Sequence, residues 1–282
     1  MNKLSLCIFI IFCSTCLPVN FVHAESNKNL KNYPIEIEQI KSILRNKHNV
    51  DPEYVNKVLK SIQFRQKTLD SMSNAVERKS TWDQYKKIFI TKKRIKEGIK
   101  YHKQNYKLLK DVENKYGVPS EVIVAFLGVE TNYGKGTGRV KVLDSLGTLA
   151  LKHPRRSKYF KAQLIYFVVL TYKNNLDHDK LYGSYAGAMG VPQFMPESYI
   201  KLGVDYNNDG KIDLWNSKHD IYASVANYLI KNGWKKNENI YSNIKIKETY
   251  INDIFKKGDV KTILVTEKKL KKILIKENNN QG

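Results

Sequence analysis

Gly117-Val118-Pro119-Ser120-Glu121-Val122-Ile123-Val124-Ala125-Phe126-Leu127-Gly128-Val129-Glu130-Thr131-Asn132-Tyr133-Gly134 reads as one buried helix with a carboxylate at its far end. Pro119 suits a first helical turn, where its missing N–H costs nothing. Ile123, Leu127 and Glu130 recur at i, i+4 and i+7, so the acid shares a face with two aliphatic side chains. Val122, Phe126 and Val129 fill much of the remaining circumference, and a helix apolar nearly all round is a buried one. Gly134 is the expected stop.

Burial disfavours the charged form of Glu130, and the partial negative charge at a helix C-terminus acts in the same direction. A glutamic acid kept protonated near neutral pH is what a general acid needs. The same residue also reads as a surface glutamate paired with Lys135 or Arg139, and helix periodicity alone leaves both readings open.

Further along stand Val142-Leu143-Asp144-Ser145-Leu146 and His153-Pro154-Arg155-Arg156-Ser157. Ser184-Tyr185-Ala186-Gly187-Ala188-Met189-Gly190-Val191-Pro192-Gln193-Phe194-Met195-Pro196 follows, and then Ser224-Val225-Ala226-Asn227-Tyr228. In this order and spacing, together with Gly-Val-Glu-Thr-Asn-Tyr-Gly at 128–134, they resemble the lytic murein transglycosylase B family. The resemblance runs from about Ile37 to Trp234, and the Ala-Gly-Ala-Met-Gly…Gln-Phe-Met-Pro block is its most specific part.

The resemblance implies a lysozyme-like catalytic core in which Glu130 is the catalytic residue. It implies that Ser184 lies near Glu130, that Gln193 hydrogen-bonds an N-acetyl sugar, and that Tyr228 lines the cleft. It also places Arg155 and Arg156 on the active-site side, where guanidinium groups bind carboxylates bidentately. On sequence alone Tyr228 reads equally as a core aromatic, and the arginine pair as surface charge. The small residues between Gly183 and Gly190 read as a tight turn that lets backbone approach a ligand or a helix closely.

Residues 1–24 read as a secretory signal, with Lys3, an apolar run from Leu4 to Leu17, and Val22-His23-Ala24 as the cleavage site. Cys7, Cys13 and Cys16 all lie inside it, so a chain cut after Ala24 has no cysteine and no disulfide. Ser14-Thr15-Cys16 is a poor match to a lipid-attachment box, and simple cleavage with a periplasmic destination is the expectation. The net charge of +22 suits a polyanionic partner such as wall polymer or anionic lipid, although lysine is abundant throughout. Nucleic acid is not expected, because the export signal directs the chain away from it and no nucleic-acid motif is present.

Helical spacing continues upstream. Ile37, Ile40, Ile43 and Leu44 form one apolar stripe, and Val55, Val58, Leu59 and Ile62 another after Asp51-Pro52, an N-cap with a first-turn proline. Residues 81–89 read as a linker, Ile95 to Val112 as one long amphipathic helix, and Tyr159 to Tyr172 as a core helix too short to span a bilayer. The expected organisation is a signal at 1–24, a helical region at 25–115, the catalytic core at 116–236 and a lysine-rich C-terminal region at 237–282. The fold class is mainly α with a minor β component (α+β), the C-terminal tail holding a short strand near Val260–Val265. That tail is shorter than the strand region and final helix of the resembled family, which puts substrate affinity in question.

Asp205-Tyr206-Asn207-Asn208-Asp209-Gly210-Lys211-Ile212-Asp213 matches most of an EF-hand loop. Asp205, Asn207, Asp209 and Asp213 offer side-chain oxygens, Lys211 a carbonyl, and Gly210 the sharp turn. Asn216 stands where the bidentate glutamate belongs, and Asp220 is the expected substitute, as the resemblance also implies. The bound ion would be a structural Ca2+ or Na+, with no cofactor required for chemistry; the plain alternative is a solvated Asn/Asp/Gly turn.

Glycosidases ordinarily use two carboxylates, and near Glu130 only Asp144 offers itself, in an apolar setting that reads as structural. The resemblance implies cleavage of the β-1,4 bond between N-acetylmuramic acid and N-acetylglucosamine by Glu130 alone, leaving 1,6-anhydro ends. Glycan strands of peptidoglycan, and other cell-wall enzymes, are the implied partners. The rival readings are a non-catalytic wall-binding or scaffolding relative and a cation-dependent surface protein.

Overall fold

The computed structural model describes residues 27–73 and 82–238. Both the proposed signal at 1–24 and the strand and basic tail beyond Trp234 fall outside these residues, apart from the first few of the tail. The chain divides into two units. Of the described residues, 27–73 and 92–236 belong to the larger and 82–91 and 237–238 to the smaller. Within the smaller, Trp82–Phe89 forms helix α4, so the stretch read as a linker is helical; Tyr85 and Phe89, one turn apart, set their rings at 5.1 Å.

The larger unit opens with a 3-10 turn at Asn27–Asn32, followed by α1 (Pro34–His48), α2 (Pro52–Lys60) and α3 (Gln66–Ser73). Asp51 caps α2 as expected, its carboxylate accepting the N–H groups of Glu53 and Tyr54. The predicted long helix is two helices, α5 (Lys92–Gln104) and α6 (Tyr106–Tyr116). Asn105 separates them: its amide donates to the carbonyl of Tyr101 at 2.7 Å and its oxygen accepts from Lys218. An asparagine that bonds its own backbone competes with the helix ladder.

The apolar stretch that carries Glu130 forms α7 (Ser120–Thr131). Pro119 is its N-cap rather than its first turn, with an extended ψ of 137°. The N-terminal end is held by Glu113, which accepts the Ser120 N–H at 2.9 Å. Burial acts to raise the Glu113 carboxyl, but hydrogen bonds from Lys110 and Ser120 outweigh it and hold the group below its usual range. Strand β1 (Val140–Lys141) leads directly into α8 (Val142–Lys152), and α9 is Ser157–Lys173. Strand β2 (Tyr182–Gly183) pairs antiparallel with β1, Val140 opposite Gly183. Helices α10 (Pro196–Leu202) and α11 (Lys218–Lys231) complete the unit.

Two apolar clusters form its interior. In the first, Ile40 and Leu44 of α1 and Val58 and Leu59 of α2 pack with Leu143 and Leu146 of α8 and Phe160, Phe167 and Val168 of α9. In the second, Leu109 and Val112 of α6 pack with Ile123 and Leu127 of α7 and Tyr222 and Val225 of α11. Each such side chain contributes roughly 1.5–3 kcal/mol on burial. Phe126 of α7 packs against both clusters, so this helix sits where they meet. Among the described residues the architecture is helical with one two-stranded sheet, and no helix is long and apolar enough to cross a membrane.

Candidate active site

Ile123, Leu127 and Glu130 are all buried, so the i, i+4, i+7 face exists as predicted, and Glu130 on the last turn of α7 is only 5% exposed. The helix is not buried all round, however. Val122, Phe126 and Val129 are half-buried and Ala125 is exposed. Phe126 lies one turn before Glu130, so a half-open apolar strip runs beside the carboxyl. Apolar walls around a few polar groups are the usual lining of a ligand cleft.

The residue after Glu130 ties this helix end to the small-residue loop. Thr131, fully buried, donates its hydroxyl to the Val191 carbonyl at 2.9 Å and accepts the Gly134 N–H at 3.0 Å. A second attachment is the β1–β2 pair, where the backbone passes so close that a Cβ on Gly138 would lie 1.9 Å from the Gly183 oxygen. The segment holding Ser184 and Gln193 is thereby fixed to the segment following Glu130.

Within that segment the Ser184 hydroxyl accepts the N–H groups of Ala188 (3.0 Å) and Ala186 (3.3 Å), closing the turn. Its own proton is the function left to offer. Gln193 is buried and held in the left-handed region at φ +52°, uncommon for a residue with a side chain. Its Nε2 donates to the carbonyls of Gly190 (2.8 Å) and Thr137 (3.0 Å), which leaves Oε1 as an acceptor. Strained backbone of this kind concentrates at functional sites.

Tyr228 of α11 is half-buried and packs its ring against Phe126 (5.8 Å) and Phe194 (5.3 Å). It is therefore on the same apolar strip as the turn preceding Glu130. Tyr159, at the start of α9, interacts with Tyr228 and with Arg156, whose guanidinium lies 4.8 Å over its ring. Burial pushes the Tyr159 phenol up, with Arg156 opposing. Arg156 thus joins the aromatic side of the site. Arg155 is exposed, and its backbone N–H and that of Arg156 both donate to His153 Nδ1. Asp144 is engaged by the N-terminal region, its Oδ1 accepting the Gln63 N–H at 2.9 Å and its Oδ2 lying 3.5 Å from Arg65.

The loop after α10 has its own organisation. Asp205 accepts the N–H groups of Asp209 and Gly210, Asp209 accepts that of Lys211, and Asp213 those of Trp215 and Asn216. Asn207 donates its amide to Asp209 at 2.8 Å. Asp220, fully buried, closes the base by accepting the N–H groups of Tyr206 and Asp213, each at 2.9 Å. Among the described residues no three carboxylates or imidazoles converge on a common point.

Phe126, Thr131 and Tyr159 went unremarked as site residues in the sequence. Thr131 stands inside the quoted motif, and only its contact sixty residues away reveals its part.

The transglycosylase SLT domain family matches residues 36–281. Membrane-bound lytic murein transglycosylase B of Escherichia coli K12 is 36% identical over 204 residues, covering 69% of this chain and 56% of that protein. The chain therefore spans little more than half the length of that relative. Soluble lytic transglycosylase SltB1 of Pseudomonas aeruginosa is 34% identical with a TM-score of 0.72, over 78% of this chain and 74% of that one. Escherichia coli Slt35, solved in complex with calcium, is 35% identical with a TM-score of 0.68, over 77% and 68%. With a buried glutamate, a strained glutamine and an aromatic strip on a shared helical fold, this chain belongs to the SLT-domain transglycosylase family.

Proposed function

We propose that the protein cleaves the β-1,4 bond between N-acetylmuramic acid and N-acetylglucosamine in peptidoglycan, with Glu130 as the only carboxyl group taking part. The observation that carries this reading is the placement of Glu130, buried on the last turn of α7 beside the half-open strip of Phe126 and Tyr228. Glu130 gives its proton to the glycosidic oxygen as the bond from that oxygen to the muramic acid C1 breaks. The N-acetyl oxygen of the same sugar stabilises the cation that develops. The Glu130 carboxylate then takes the proton of the C6 hydroxyl while its oxygen bonds to C1. No water is consumed and Glu130 ends protonated, so one residue serves as acid and then as base. Ser184 and Gln193 orient the ring through one donor and one acceptor, Tyr228 offers a face to it, and Arg156, with Arg155 beyond it, meets carboxylates of the stem. The engagement of Asp144 by Gln63 and Arg65 supports chemistry without a second carboxylate.

We propose that the loop at 205–220 takes a structural calcium ion, the ion with which Escherichia coli Slt35 was solved, its carboxylates being drawn from their backbone N–H partners towards the ion on binding. Its donors are hard oxygens, and none of Asp205, Asp209, Asp213 and Asp220 forms an ion pair among the described residues of this lysine-rich chain. Gly210 makes the turn at φ +84°. Asp205, Asn207, Asp209, Asp213 and the Lys211 carbonyl would hold the ion, with Asp220 fixing the base; its role would be to brace the loop before α11, not to take part in the reaction. A signal at 1–24 would deliver the chain to the periplasm, where the glycan strands lie.

The test is the mass of muropeptides released from purified wall in heavy-oxygen water. Unlabelled 1,6-anhydro ends are expected. Predominant heavy oxygen at the new muramic acid ends would mean hydrolysis and a second catalytic group; binding without cleavage would mark a wall-binding relative.

A further inference from the structure

We propose that Tyr133 is a positioning residue for Glu130, its ring filling a slot that two glycines, Gly98 of α5 and Gly128 of α7, leave behind the last helical turn. The inference rests on the reading of Glu130 as the acid.

Helix α7 ends on two successive residues in the left-handed region, Asn132 at φ +51° and Tyr133 at φ +62°. Neither is a glycine, and side-chain-bearing residues adopt this conformation sparingly. The Tyr133 N–H closes the turn on the Leu127 carbonyl at 3.0 Å. The reversal sends the tyrosine ring back along the helix instead of out into solvent. Its hydroxyl then donates to the Arg94 carbonyl of α5 at 2.8 Å, and its ring stacks on Tyr101 at 5.4 Å and 28°. Tyr101 is fixed in turn by the Tyr222 hydroxyl at 2.8 Å.

The fit is close on both sides. A Cβ on Gly98 would lie 2.5 Å from the Tyr133 hydroxyl oxygen, and a Cβ on Gly128 would lie 2.8 Å from the ring and its hydroxyl. Gly128 precedes Glu130 by two residues, about 200° around the helix at roughly 100° per residue, so the two positions lie on nearly opposite sides. The ring therefore backs α7 on the side opposite the carboxyl. Whatever overfills the slot pushes the last turn towards the cleft, and whatever empties it lets the turn fall back. A misplacement of about 1 Å in a reacting group can cost ~100-fold in rate.

The experiment compares Gly98→Ala, Tyr133→Phe, the double variant and Glu130→Gln on soluble, uncrosslinked glycan strands. Folding is monitored by circular dichroism, and kcat and KM are measured separately. Gly98→Ala should lower kcat at least ~10-fold with KM within ~3-fold of wild type. Removing the hydroxyl leaves the next ring carbon 3.2 Å from the added methyl, a gap that a small shift accommodates. The double variant should therefore recover kcat to within ~3-fold of Tyr133→Phe alone. A folded Gly98→Ala with normal kcat overturns the proposal, as does a double variant no better than Gly98→Ala. Should Gly98→Ala fail to fold, Tyr133→Phe decides: a fall in kcat of ~3-fold or more with KM unmoved supports positioning, and an unchanged kcat overturns it. Glu130→Gln keeps the two readings apart, since full activity there refutes the assignment of the acid itself, whatever the slot variants do.

Discussion

Replacing Thr131 by valine keeps the shape of the side chain and removes its hydroxyl, which isolates the link between the helix end and the small-residue loop. Its bond to the Val191 carbonyl and the one from the Gly134 N–H disappear, together with a long contact of 3.4 Å to the Leu127 carbonyl of its own helix. Val191 is buried, so its carbonyl is left without that partner, at a cost of ~1–3 kcal/mol. Gly134 is half-buried, and water recovers part of the second bond, leaving a loss of ~0.5–1 kcal/mol. The total is about 1.5–4 kcal/mol, and at 2–4 °C per kcal/mol for a chain of this order the melting midpoint should fall by roughly 3–16 °C. Serine retains the hydroxyl and should stay within about 1 kcal/mol of wild type. Thermal melts followed by circular dichroism measure the loss, and clearing of a wall suspension at a temperature where both proteins are folded measures activity. Thr131→Val should be the slower enzyme, because the segment bearing Ser184 and Gln193 is less firmly held. A Thr131→Val midpoint within ~2 °C of wild type, or a Thr131→Ser variant equally damaged, would mean that the hydroxyl does not hold the helix end to the loop.

Glu130→Gln should lose at least ~1000-fold in release of anhydro-muropeptides while melting normally, since the amide keeps the shape but has no acidic proton; near-normal release would remove Glu130 from the chemistry. Calcium should raise the melting midpoint, because an ion that binds only the folded state stabilises it, and Asp209→Ala should abolish that response; superimposable melts with calcium and with chelator would exclude the ion. Burial holds the Asp144 carboxyl above its ordinary range, against the opposing effects of the Gln63 N–H and Arg65. The folded state is thus the better proton binder, and this contribution is full below the ordinary aspartate pKa and fades as pH rises through the raised value. The stability difference between wild type and Asp144→Asn should accordingly favour wild type more at pH 4 than at pH 7, and a difference that is flat or of opposite slope in paired melts would contradict it.

Much of α7 is written locally. Its apolar period, the placement of Glu130 on the Ile123–Leu127 face and the Asp51-Pro52 start of α2 all depend on neighbours a few residues apart, which is the range over which a sequence pattern is informative. The break at Asn105 escaped because a one-residue interruption hardly disturbs the phase of the apolar stripe. Helix α4 keeps its apolar residues at helical spacing, Trp82, Tyr85, Ile88 and Phe89, but eight residues are few for a period to stand out from a connecting segment. Strands β1 and β2 are two residues each, too short for any alternation. In the site, Glu130, Ser184, Gln193 and Tyr228 came from a resemblance of motifs, and the physical reasons for their placement are long-range. Thr131 meets Val191, Tyr133 meets Arg94, and Asp144 meets Gln63, none of them close in the chain. The half-exposure of Phe126 could not be read from a helix whose residues are apolar on nearly every side.

The slot behind α7 also constrains how this sequence can drift. Gly98, Gly128 and Tyr133 are three positions sharing one volume, so a change at any of them alters what the other two tolerate. Either glycine can grow only after the aromatic has shrunk, and once a methyl has been accepted the tyrosine cannot return without a clash. The order of substitutions therefore matters: paths through an enlarged glycine first pass through a more damaged intermediate than paths that trim the ring first. In the terms of inheritance the three behave as a single character spread over two helices and a turn.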